Sequence, residues 1–69
     1  MTNLHKHSLT IAGHRTSLSL EPEFWAALNE HAQRQKKTVA QLVGEIDQTR
    51  GEHNLSSAIR VWLFKRAAG

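Results

Sequence analysis

Apolar and hydroxyl-bearing side chains alternate from Ser8 to Leu20, the two-residue period of an extended chain. Leu9 and Ile11 fall at odd positions, whereas Leu18 and Leu20 fall at even ones. One continuous strand cannot show all four on the same face. Gly13 lies between the halves and is the natural site for a bend, bulge or turn. The pattern predicts a main strand over residues 15–20, with an extended arm over residues 8–12 before it.

The period then lengthens. Glu21-Pro22-Glu23 opens a helix, since proline suits a first helical position and acids suit the positive end of the dipole. Phe24, Leu28 and Ala32 recur at four-residue spacing, with Trp25 and His31 at the edges of the stripe, and carry this helix to about Gln35. Thr38 is a good N-cap for the next helix, and Gln41 completes a capping box. Val39, Leu42, Val43 and Ile46 form its apolar face. Gly44 inside it costs about 1 kcal/mol relative to alanine, which points either to close approach of another helix or to simple tolerance.

Arg50-Gly51-Glu52-His53 reads as a break, and Asn54 or Ser56 caps a third helix running to about Ala67. Leu55, Ile59, Trp62 and Leu63 make one stripe of it, but Val61 and Phe64 lie off that stripe. A helix apolar on so many sides has a surface left for another subunit or a partner protein. The chain therefore reads as mainly α with one β-strand. Residues 1–14 form a basic, histidine-rich arm, residues 15–49 the core, and residues 50–69 an extra C-terminal helix.

At 69 residues and 7.8 kDa there is room for one small domain. A core that small rarely supplies more than about 3–5 kcal/mol without a staple or a second chain. The absence of cysteine excludes a disulfide framework and a thiolate zinc site. No apolar run is long enough to span a membrane, and no signal-like apolar stretch follows Met1, so the expected address is the cytoplasm. Nine Lys and Arg against six acids give a net charge of +3, and its distribution matters more than its sum. Residues 1–20 hold Lys6 and Arg15 without one acid, with His5, His7 and His14 beside them, and Arg34, Lys36 and Lys37 form a second cluster. An acid-free basic terminus suits a polyanionic partner.

A lone strand leaves its backbone groups unpaired. The simplest solution pairs it with the same strand of a second copy, antiparallel across a two-fold axis, giving an intertwined homodimer. A hairpin closed at Gly13-His14 within one chain is the competing solution. In the two-chain ribbon, Leu18 and Leu20 face the helices and join Leu42, Val43, Ile46 and Trp62 in a dimer core. Arg15, Ser17 and Ser19 fall on the opposite face. A two-stranded ribbon fits the DNA major groove, where arginine reads guanine bidentately and serine hydroxyls bond to base edges.

The run Arg15-Thr16-Ser17-Leu18-Ser19-Leu20-Glu21-Pro22-Glu23-Phe24, then a helix, a short basic turn ending in Thr38 and a second helix, resembles the ribbon-helix-helix family. That family includes the Arc and Met repressors, which read DNA with a β-ribbon. Gly13-His14-Arg15-Thr16-Ser17, together with Gly51-Glu52-His53-Asn54-Leu55-Ser56-Ser57-Ala58, looks like a bacterial subgroup of small stand-alone members. The resemblance implies base contacts for Arg15, Ser17 and Ser19. It also implies a phosphate clamp at the second-helix N-terminus, at Thr38, with Lys36 and Lys37 adding charge. Many members carry a glycine in that turn, where this chain has Gln35-Lys36-Lys37.

Other chemistries fit less well. His5 and His7 point the same way in an extended arm, but spacing fixes no third ligand, so no metal or other cofactor is expected. There is no nucleophile with a paired base and no glycine-rich phosphate loop, which argues against an enzyme. The expectation is a homodimeric, sequence-specific reader of double-stranded DNA, a transcriptional repressor or autoregulator. The alternative is a protein-interaction module such as an antitoxin, gripping its partner through the helix of residues 55–64.

Overall fold

The computed structural model describes residues 4–52 and 54–68; His53, read as part of the interhelical break, lies outside them. Two strands, β1 (His5–Ile11) and β2 (His14–Leu20), are followed by helices α1 (Pro22–Arg34), α2 (Val39–Thr49) and α3 (Leu55–Ala68). The strands pair with each other, antiparallel, in a two-stranded sheet. This corrects the single-strand expectation and the ribbon shared between two chains that was built on it. The strand before α1 finds its partner in the residues read as an arm.

The shift of apolar parity from odd to even explains why. In the observed register Ile11 pairs with His14, Leu9 with Thr16 and His7 with Leu18, so each odd position of β1 faces an even position of β2. A hairpin in that register brings Leu9, Ile11, Leu18 and Leu20 onto one face, which no single strand could do. The turn is Ala12-Gly13, one residue earlier than Gly13-His14, and both residues have positive φ, 51° and 83°. Positive φ at both positions is the mark of a type I′ turn, whose twist matches that of the strands.

Ile11, Leu18 and Leu20 from the hairpin's inner face pack with Leu28 and Ala32 of α1, Leu42, Val43 and Ile46 of α2, and Ala58, Ile59 and Leu63 of α3. Five of the six residues assigned to a dimer core, Leu18, Leu20, Leu42, Val43 and Ile46, are thus buried within one chain. Trp62 is half-buried, with His31 edge-on to its ring at 5.2 Å and the Arg66 guanidinium 4.1 Å from its centre. Gly44 does mark a close approach, though of a strand rather than a helix: a Cβ there would lie 3.4 Å from the Ile11 methyl Cγ2.

Local caps follow the sequence closely. Thr38 Oγ1 accepts from the Gln41 N–H at 3.1 Å while Gln41 Oε1 accepts from the Thr38 N–H at 2.9 Å. Asn54 caps α3 by accepting from the Ser57 N–H at 2.8 Å. Ser56 is thereby freed for a different task, and its hydroxyl donates to the Ser19 carbonyl at 2.9 Å. In a hairpin closed by the Ile11–His14 pair, Arg15, Ser17 and Ser19 turn their backbone groups away from β1. The first turn of α3 therefore covers part of the outer edge of β2.

Candidate nucleic-acid interface

The outer face of the hairpin carries Lys6, Ser8 and Thr10 from β1 and Arg15, Ser17 and Ser19 from β2, opposed as Lys6–Ser19, Ser8–Ser17 and Thr10–Arg15. Ser19 is half-buried and the other five are exposed. The three residues singled out from sequence are on one face, as expected. Their β1 neighbours were missed because residues 8–12 were read as an arm with no assigned partner. The signal was present in the same parity: with 7, 9 and 11 turned inward, 6, 8 and 10 must turn outward.

This surface is chemically uniform. It presents four hydroxyls and two cations, and none of the residues from Leu4 to Leu20 is acidic. Neither Lys6 nor Arg15 is held in an ion pair among the described residues. At about 3.4 Å per residue, Lys6 to Thr10 spans roughly 14 Å. That length matches about four base steps, and a two-stranded ribbon fits a groove roughly 12 Å wide.

The turn end of the hairpin and the start of α2 border one hollow of about 590 Å³, lined by Thr10, Ile11, Ala12, Lys37, Thr38 and Gln41 among others. Fold topology thus sets the turn end of the ribbon, with Thr10 of its polar face, beside a helix N-terminus. Two of that terminus's N–H groups are occupied by the capping box, leaving those of Val39 and Ala40. Glu45 and Asp47 also line the hollow, but Lys37 Nζ bonds Glu45 Oε2 at 2.6 Å and Arg50 Nε bonds Asp47 Oδ1. Lys37 is therefore only half available as a free charge, whereas Lys36 is exposed and makes no ion pair among the described residues.

The turn without a glycine has a defined geometry. Lys36 adopts positive φ, 57°, and its N–H donates to the Gln33 carbonyl at 3.1 Å while the Lys37 N–H donates to the Ala32 carbonyl at 2.9 Å. This is a Schellman motif with lysine in the place glycine usually takes. The motif ends α1 and delivers Thr38 to its cap.

The histidines are scattered. His7 stacks flat on Trp25, ring centres 3.6 Å apart, with its Nε2 buried and without a hydrogen-bond partner among the described residues, whereas His5 is exposed. No group of three or more His, Cys, Asp or Glu suited to a metal is found among the described residues. Across the molecule, Arg60 Nε donates to Glu21 Oε1 at 2.9 Å, and this bond holds the Glu21 carboxyl below the usual glutamate range, helped by the residue's own backbone N–H. The tie joins the start of α1 to α3 behind the ribbon. No helix of the described residues is long and apolar enough to cross a membrane.

Residues 4–67 match a family model described as a ribbon-helix-helix domain. Among curated proteins none matches the chain. Of solved structures, an uncharacterized protein from Bordetella pertussis Tohama I superposes with a TM-score of 0.80 at 33% sequence identity, covering 97% of this chain and 58% of that one. This chain thus spans little more than half the length of that relative. With nearly its whole length inside the family model, the chain belongs to the ribbon-helix-helix family.

Proposed function

We propose that the protein is a sequence-specific DNA-binding regulator, a repressor or autoregulator, that reads the major groove with the outer face of its β1–β2 hairpin. One observation carries the reading: an acid-free face carries four hydroxyls and two cations without an ion pair among the described residues, and its turn end, at Thr10, borders the N-terminus of α2. Arg15, at the turn end, is the residue for bidentate guanine recognition, and Ser17, Ser19, Ser8 and Thr10 supply hydroxyls to base edges. Lys6 extends the face at its far end. The N–H groups of Val39 and Ala40 hold a phosphate, with the charge of Lys36 and part of that of Lys37 nearby.

Selection from random duplexes at near-physiological salt tests this, with wild type compared against Arg15→Ala and Lys37→Ala. Arg15→Ala should cost about 1–3 kcal/mol and relax preference at defined positions. Lys37→Ala should weaken all sequences alike. Equal losses on every duplex from both variants would remove the division between reading and clamping. A second reading, a protein-interaction module built on α3, is favoured by Phe64 and Val61, which are 70% and 51% exposed.

A further inference from the structure

Trp62 is half-buried, yet its ring is held by two neighbours, His31 set across it at 5.2 Å and the Arg66 guanidinium at 4.1 Å. The indole borders a cavity of about 300 Å³ between α2 and α3, with the buried Ile46 and Ala58 completing its apolar wall. That volume lies at the lower end for small-molecule sites. A fixed aromatic ring beside two buried aliphatic groups suits a compact apolar body.

The charged part of the lining has one sign. It consists of Arg50 and Lys65, and no acid lines the cavity. Asp47 offsets Arg50 through its Nε, whereas Lys65 makes no ion pair among the described residues. The negative end of α2 also lies here, and it opposes an anion by about half a charge. Two of its last carbonyls are already occupied, that of Ile46 by the Thr49 hydroxyl at 3.1 Å and that of Asp47 by the Arg50 N–H at 3.4 Å. Even with Arg50 cancelled by Asp47, Lys65 leaves the balance positive. A cationic guest would meet that ammonium, and the attraction of the indole for a cation is already met by Arg66.

We infer that the α2–α3 cavity binds a small organic carboxylate, with its apolar body against Trp62, Ile46 and Ala58 and its carboxylate toward Lys65 and Arg50. The inference is independent of the DNA-binding proposal, since no residue assigned to reading or clamping lines this cavity and the test contains no DNA. Hydrocinnamate is the probe, titrated into the isotope-labelled 69-residue chain and followed by amide and indole N–H resonances. It should shift the Trp62 indole and the Thr49 and Arg50 amides saturably, with a dissociation constant of about 1 mM or lower. Hydrocinnamyl alcohol, the same body without the charge, should bind at least about fivefold more weakly. Lys65→Gln, an exposed substitution, should weaken hydrocinnamate about threefold. Thr49→Phe, which fills the cavity from an exposed position, should abolish the Trp62 shift while distant amides keep their wild-type positions. Absence of saturable shifts up to about 10 mM overturns the inference. So do shifts centred away from Trp62, equal affinity for acid and alcohol, or a Lys65→Gln chain that binds as tightly as wild type.

Discussion

Ala12 and Lys36 are non-glycine residues held at positive φ, 51° and 57°. An L-residue in that region costs roughly 1–2 kcal/mol, less for residues whose short polar side chains bond locally. Asparagine is favoured at the first position of a type I′ turn, so Ala12→Asn should raise stability by about 1 kcal/mol in urea denaturation. The same logic gives Lys36→Gly a gain of similar size from the relieved Schellman position. That variant also removes a charge beside the proposed phosphate site, so its DNA affinity should fall while its melting temperature rises, with the salt dependence flatter by about one charge. A loss of both would mean that Lys36 holds the turn by some other contact. Ala12 also explains why the hairpin was hard to read from sequence. The dipeptides that announce a I′ turn are Asn-Gly, Asp-Gly and Gly-Gly, and Ala-Gly gives only half of that signal. The apolar parity located the turn to within a residue, but without its full chemistry the strand was assigned to a second copy rather than to β1.

The helices were legible because each carries its own boundaries. Pro22 starts α1, Thr38 and Gln41 box the start of α2, and Asn54 caps α3, all within a residue of the expected ends. What joins the elements is less local and was not readable. Ser56 bonds a carbonyl 37 residues away, and Arg60 reaches Glu21 across 39. The second tie has a consequence for acid stability. Arg60 lowers the Glu21 pKa in the folded chain, so the folded state binds fewer protons there than the unfolded chain. The resulting stabilisation is present above the unfolded glutamate pKa and is lost as pH falls through the depressed folded value. Glu21→Gln should therefore flatten the acid limb of the stability–pH curve below about pH 5, where unfolded glutamate begins to protonate. Urea midpoints between neutral pH and pH 3 provide the measurement, and an acid limb as steep as that of wild type would show that the tie contributes nothing to folding.

For the whole molecule, the sequence presented an excess of apolar positions and no way to tell which of them one chain would bury. Hydrophobicity marks Leu20 and Phe64 alike, yet Leu20 is fully buried at 0% exposure and Phe64 is 70% exposed. The difference arises from topology. Once β1 folds back, the inner face of the hairpin is roofed by all three helices, and α3 spends its Ile59 and Leu63 side on that roof while its Phe64 side turns outward. The premise that the strand requires a second chain to pair with therefore fails. Truncation of these two residues separates the roles. Leu20→Ala removes packing at the centre and should cost about 2–5 kcal/mol, comparable to the roughly 3–5 kcal/mol that a core of this size supplies, so the variant should be largely unfolded at 25 °C. Phe64→Ala removes more carbon from the chain but little buried surface, and should stay within about 0.5 kcal/mol of wild type. Urea titrations at low micromolar protein make the comparison, because any self-association would make a midpoint depend on concentration. Equal destabilisation of the two variants under those conditions would mean that the fold itself depends on the outer face of α3. The expected disparity would instead assign that face to contacts made after folding is complete.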